Sequence, residues 1–137
     1  MDKNNHPTKK CVEEEKSFLS RLIDCQYISK FEEFYEENNN FVLIMEFIEG
    51  KGLINLFRNK YVFSTEELVV LFRRILEALY FCHENKIIHR DLKPQNIIVD
   101  MKDMKPKIID FGLSLFLNVG MENEQFKRCG TMGYMAP

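Results

Sequence analysis

The residues best suited to do chemistry lie in two short runs, His89-Arg90-Asp91-Leu92-Lys93-Pro94-Gln95-Asn96 and Asp110-Phe111-Gly112, with Asp110 nineteen positions beyond Asp91. Moving a phosphoryl group needs a carboxylate beside the attacking hydroxyl, oxygen donors for a divalent cation, and positive charge against the transferred group. The two runs supply residues of all three types: carboxylates, side-chain oxygen donors and basic groups. An Asp-Phe-Gly triplet alone is weak, because three residues recur by chance. The two runs in this order and at this separation are specific. The competing reading is structural, with Asp91 capping loop amides and Lys93 a solvated surface charge.

The elements that must position these runs show in the periodicity. Residues 1–10 read as loop. From residue 12 to about 23 the apolar Phe18, Leu19, Leu22 and Ile23 recur at helical spacing. Residues 30–35 read as a strand with a solvated face. Residues 41–48, apolar except for Glu46, read as a buried strand, and the polar turn between them predicts an antiparallel pair that ends at Gly50 and Gly52. Residues 53–58 suggest a short helix. Ser64-Thr65-Glu66-Glu67 has the form of a capping box. The helix after it carries an apolar stripe of Leu68, Leu71, Phe72, Ile75, Leu76, Leu79 and Tyr80 and ends near Asn85. Two strand-like runs follow, Ile97-Ile98-Val99 and Ile108-Ile109, with Pro94 and Pro106 in the loops before them. This order predicts an α+β fold rather than a wound parallel sheet.

Taken together, the motifs resemble the catalytic domain of eukaryotic protein kinases of Ser/Thr type, over essentially the whole chain. The resemblance implies a partial protein kinase-like fold. Residues 1 to about 48 would give a helix and hinge strands of the small lobe, and about 49–137 the first half of the helical large lobe. It implies ATP and Mg2+ as cofactors and a protein substrate with a Ser or Thr acceptor. Asp91 would accept or orient the proton of the substrate hydroxyl, Lys93 would contact the γ-phosphate, and Asn96 and Asp110 would hold magnesium. A lysine at 93 resembles Ser/Thr rather than tyrosine kinases. His89 and Phe111 would pack beneath the site, in a stack completed by Leu19 and Phe31. Glu15 resembles the helix glutamate that pairs with a strand lysine. Glu13 and Glu14 also suit a helix start, and the spacing to Phe18-Leu19 favours Glu15. Met45 would be the gatekeeper, the backbone of Glu46 and Ile48 would meet the adenine edge, and Leu53 and Ile98 would touch its ring, in the mostly apolar slot usual for small molecules. Residues 129–137 resemble the substrate-receiving stretch, most like calcium/calmodulin-dependent kinases although Met132 replaces a proline. Thr131 would bond Asp91 and Lys93.

Several positions depart from the family pattern. Gly52, after Lys51, stands where many relatives carry an acidic residue for the ribose. No glycine-rich phosphate loop and no strand lysine occur in these 137 residues. Met1-Asp2-Lys3 resembles the stretch just after that lysine, and Lys9 and Lys10 are too close to Glu15 to replace it. The chain stops at Pro137, before the expected glutamate. The sequence is therefore expected to be a fragment truncated at both ends that does not transfer phosphate by itself. The alternative is a non-catalytic kinase-like module that binds partners or nucleotide. Arg90 would usually face a phosphorylated residue. The usual acceptor place holds Gln125-Phe126-Lys127-Arg128, without a hydroxyl, so Glu122 or Glu124 either pairs with Arg90 or stays solvated.

Composition narrows the partners. Lys and Arg total 19 against 21 Asp and Glu, a net charge of -2, which gives no reason to expect nucleic acid or an acidic membrane. The four cysteines form no C-x-x-C pair, against zinc and against a disulfide framework. No apolar run reaches the roughly 18 residues of a membrane span, and MDKNNHPTKK is too polar for a signal peptide. The expected location is the cytoplasm or the nucleus.

Overall fold

The computed structural model describes residues 9–37, 40–117 and 129–135. In chain order they form α1 (Lys9–Arg21), β1 (Phe31–Glu37), β2 (Asn40–Met45), β3 (Lys51–Gly52), α2 (Leu53–Arg58), α3 (Thr65–Glu84), β4 (Ile87–Ile88), a 3-10 turn (Pro94–Asn96), β5 (Ile97–Asp100), β6 (Lys105–Ile108) and β7 (Leu115–Phe116). The mixed α+β order expected from the sequence is the order found.

Helix α1 starts three residues earlier than its apolar spacing implies, so Lys9 and Lys10 are helical rather than loop. Charge supports this extra turn: Lys10 lies 3.8 Å from Glu14 one turn on, and Lys9 lies 3.3 Å from Glu36 on β1. The helix stops at Arg21, where Leu22 N–H is shared between the carbonyls of Phe18 and Leu19. Val12, Phe18 and Leu19 are buried on its inner face.

β1 and β2 pair antiparallel from Phe31↔Met45 to Glu37↔Asn40, as the polar turn predicts. β2 is half-buried rather than buried, because it belongs to a two-stranded sheet on which α1 packs. It also ends at Met45, three residues early. Glu46 N–H still reaches Lys30 O at 2.9 Å, but Lys30 N–H goes to the Glu46 carboxylate at 2.8 Å instead of its carbonyl, and the ladder breaks there.

Helix α3 has the capping box read from the sequence: Glu67 N–H donates to Ser64 Oγ (3.1 Å) and Ser64 N–H to Glu67 Oε2 (2.8 Å). Its apolar stripe divides. Leu71 and Ile75 are buried with Ala78 and Cys82, whereas Phe72, Leu76 and Tyr80 are 56%, 63% and 66% exposed. Positions 71, 75, 78 and 82 form one row along the helix and 72, 76 and 80 the next, about 100° round. The described elements cover only the first row. Burial also pushes the Cys82 thiol up to about 12, which keeps it an unreactive core group.

A three-stranded antiparallel sheet, β3-β5-β6, carries the site. Its register runs Lys51↔Val99, Gly52↔Ile98 and Ile97↔Ile108 to Asp100↔Lys105. Pro106 is tolerated because β6 is an edge strand. β4 pairs with β7, Ile87↔Phe116 and Ile88↔Leu115. The Phe116 ring also packs on Phe18 of α1 (centroids 4.6 Å apart) beneath the Arg21 guanidinium at 4.6 Å. One core cluster joins α1, α2, α3 and the β3-β5-β6 sheet, with Leu19, Leu71, Val99, Ile108 and Phe111 among its most buried members. Each such side chain contributes about 1.5–3 kcal/mol on transfer from water. No helix among the described residues is long and apolar enough to cross a membrane.

Candidate active site

Helix α3 delivers the chain through β4 into the loop that begins at His89. Arg90 and Asp110 both sit in the left-handed region, at φ +63° and +66°. Non-glycine residues rarely do so, and each stands within one of the two runs read as chemical. What holds the first run is His89. Asp91 N–H donates to His89 Nδ1 at 3.2 Å, so Nδ1 carries the lone pair and Nε2–H donates to Ile109 O at 3.2 Å. The ring meets Phe111 edge-on at 4.7 Å. Burial lowers the His89 pKa against the opposing pull of Ile109 O, Asp110 and Asp91.

That shift has a sign. A histidine lowered on folding contributes stability above its unfolded value, about 6.5, and loses it as pH falls through the lower folded value. Urea midpoints should therefore fall as pH drops below about 6.5, and His89→Gln should flatten that dependence. Parallel curves for parent and variant would contradict a His89 held neutral by burial.

Asp91 is the centre of the loop. Its Oδ1 accepts from Thr131 N–H (2.8 Å) and Thr131 Oγ1 (2.7 Å), and its Oδ2 from Lys93 Nζ (2.6 Å) and Asn96 Nδ2 (3.3 Å). Lys93 Nζ also donates to Thr131 Oγ1 at 2.6 Å. Burial would raise the Asp91 pKa, but the bonds from Lys93 and Thr131 outweigh it and hold the carboxyl below its usual range. All four residues named as catalytic from the sequence thus meet at one buried anion.

Asn96 leads on to Asp110. Its Nδ2 is committed to Asp91 (carbonyl 3.0 Å), which leaves Oδ1 without a partner among the described residues. Ile109 N–H donates to Asn96 O at 3.0 Å, continuing the β5–β6 ladder one step past Ile97↔Ile108. Asn96 therefore stands opposite the residue that precedes Asp110. On the far side, Glu15 Oε1 accepts Phe111 N–H at 3.2 Å. Burial, then the Asp110 carboxylate, push the Glu15 pKa up.

A cavity of about 350 Å³ opens beside Asp110. Glu15, Met45, Glu46, Ile48, Ile98 and Asp110, named from the sequence as nucleotide-contacting, all line it. Leu53 does not. It is only 4% exposed and packs with Leu56 in the core, because α2 begins at Leu53 and turns it inward from the sheet.

The family model of the protein kinase domain matches residues 1–137. The chain belongs to the protein kinase family. It is 40% identical over 119 residues to mouse sperm motility kinase 2B, covering 87% of this chain and 24% of that one. Identity is 34% over 121 residues to a probable serine/threonine-protein kinase KIN1 homolog of Enterocytozoon bieneusi, covering 88% and 20%. It is 35% over 123 residues to a probable myosin light chain kinase of Dictyostelium discoideum, covering 87% and 25%. The chain spans about a fifth to a quarter of the length of these relatives.

In this kinase chain the stack expected beneath the site is gathered in the core: Leu19 and Phe111 are fully buried, His89 lies against Phe111, and half-buried Phe31 packs on the cluster. Arg90 Nε donates to Leu113 O at 2.7 Å. The glutamates proposed as its partners, Glu122 and Glu124, lie outside the described residues, as do Met1-Asp2-Lys3, Gln125-Phe126-Lys127-Arg128 and Ala136-Pro137.

Sequence reasoning missed Ser29, Leu43, Phe47 and Ile109 on the cavity wall. Leu43 was within reach, since it shares a strand face with Met45 two positions on. It also missed Lys107, whose Nζ bonds both the Glu46 carboxylate (2.5 Å) and Ile28 O (3.2 Å). That ammonium ties β6 to the start of the hinge and to the turn before β1. Their partnership spans 61 residues of chain and leaves no local mark.

Magnesium and a nucleotide fit these residues. Oxygen donors such as Asn96 Oδ1 and the Asp110 carboxylate suit a hard divalent cation, and the cavity beside Asp110 is lined mostly by apolar groups with a few polar ones, as a nucleotide base requires.

Proposed function

We propose that this chain serves an ATP- and Mg2+-dependent protein kinase that transfers the γ-phosphate to Ser or Thr of protein substrates. The observation that carries the reading is the Asp91 carboxylate, held as an anion by Lys93 and Thr131 and joined through Asn96 to the Asp110 side of the cavity. Asp91 orients the substrate hydroxyl and takes its proton, while Lys93 lies within reach of the same oxygen and offsets charge on the transferred group. Asn96 Oδ1 and Asp110 would hold magnesium, which neutralises phosphate charge when bound. The adenine edge is met by the Glu46 carbonyl, which Lys30 leaves unclaimed, and by Ile48 N–H, with Met45 and Ile98 as apolar walls.

Thr131, bonded to both Asp91 and Lys93, supports Ser/Thr specificity, as does the name of the Enterocytozoon relative. The motif at 129–137, which resembles that of calcium/calmodulin-dependent kinases, supports a kinase of that type. In this reading residues 1 to about 48 belong to the small lobe and the rest to the large lobe. The partners are proteins, not nucleic acid or membrane, in cytoplasm or nucleus.

The test is to incubate the full-length gene product with radiolabelled ATP, with and without Mg2+, and peptides offering Ser, Thr or Tyr. Magnesium-dependent label on Ser or Thr is expected. Label confined to Tyr overturns the specificity, and ATP binding without transfer supports the binding-module reading instead. The same assay on the 137-residue chain alone is expected to show no transfer.

A further inference from the structure

Ser29 has no role in the reading above, and the fold does not account for it. It is 3% exposed, and its Oγ is the one buried side-chain oxygen or nitrogen among the described residues without a hydrogen-bond partner. Its backbone is fixed, because Ser29 N–H donates to Ile108 O at 2.9 Å beside the Ile28↔Ile108 bridge. No side chain of the described residues pairs with that oxygen, and a branched hydrocarbon there would bury as well without an unpaired hydroxyl. An orphan of this kind calls for a partner that arrives from outside the protein.

The position indicates which partner. Ser29 lines the same cavity as Met45, Glu46 and Asp110, and its Oγ is one χ1 rotation from a new direction, since a serine hydroxyl has three staggered positions. An exocyclic amino group on a purine has two hydrogens. If the Glu46 carbonyl takes one, the other needs an acceptor deeper in the cavity, past the end of β2. We propose that Ser29 is a specificity-determining residue of this cavity, its hydroxyl accepting the second amino hydrogen of adenine directly or through one ordered water. The inference rests on the reading of the cavity as a nucleotide site.

The experiment measures calorimetric affinity of the full-length gene product for ATP and for purine riboside triphosphate, which lacks the amino group, together with the Tm of the unliganded protein. Parent, Ser29→Ala and Ser29→Val are compared. For Ser29→Ala, ATP affinity should fall about three- to tenfold, the range of one net hydrogen bond. Affinity for the analogue should not change, and the unliganded Tm should rise because an uncompensated hydroxyl is gone. Ser29→Val should show the same nucleotide pattern. A raised Tm with unchanged ATP affinity would make the hydroxyl a mere packing defect and overturn the proposal. Equal losses for both nucleotides would do so as well, by assigning the effect to cavity shape. A parent that binds neither nucleotide overturns the nucleotide reading itself, and this inference with it.

Discussion

Asp91→Asn should lower phosphoryl transfer by the full-length gene product by about 10²–10⁴-fold, the usual span for losing a positioned general base. The KM for ATP should stay within a few-fold if the cavity beside Asp110 holds the nucleotide, because Asp91 bonds none of the residues lining it. The substitution is nearly isosteric, yet the site tolerates it poorly. Oδ1 accepts only from donors on Thr131, and Oδ2 only from donors on Lys93 and Asn96. Whichever way an asparagine amide turns, its NH2 group faces another donor. The variant should therefore also lose stability, by about 1–3 kcal/mol. Initial rates over a range of ATP concentrations separate kcat from KM. A variant that keeps a tenth of the parent kcat would remove Asp91 from the reaction.

Gly130→Ala should have the next largest effect, with no side chain of the reacting group altered. Gly130 has φ +118°, a conformation that costs an alanine about 1–3 kcal/mol. A Cβ there would also come within 2.8 Å of Arg90 O, a backbone atom that cannot swing aside. Overpacking of this kind adds about 1–3 kcal/mol. The nearest relief is to displace residue 131, which breaks both bonds from Thr131 to Asp91. Transfer should fall at least about tenfold if these bonds position the carboxylate. Gly133→Ala is the internal comparison: φ is +89°, but nothing lies within 4 Å of the added carbon, so strain acts there without a clash. Equal activities of the two variants would deny Thr131 its positioning role.

Much of this arrangement could be read before any coordinates. The capping box at Ser64 and Glu67 is local chemistry, complete within four residues, and the β1–β2 register follows from one polar turn. The two runs at 89–96 and 110–112 were legible because their spacing is itself informative. What stayed hidden depends on distant partners. β3, β4 and β7 are two residues each, too short for any period, and exist only because β5, β7 and β4 lie beside them. Leu53 looked like a ligand contact and is core, since one residue's direction at a strand–helix junction is set by the helix that starts there. The stripe on α3 was read as one face, although the described neighbours bury only one of its two rows. Ser29 and Lys107 gave no signal, because a missing hydrogen bond and an ion pair across 61 residues are facts of packing.

The Phe116 ring has a mechanical consequence. It belongs to the strand that follows Asp110-Phe111-Gly112, yet it is clamped by Phe18 and Arg21 on the helix that bears Glu15. Leu117, next along, is latched to Lys86 by its N–H at 2.7 Å. Rolling the helix about its long axis would part Phe18 and Arg21 from this ring, at a cost of about 0.5–1.5 kcal/mol for the aromatic pair alone, so the helix that bears Glu15 and the strand after Asp110 each favour the other's present position.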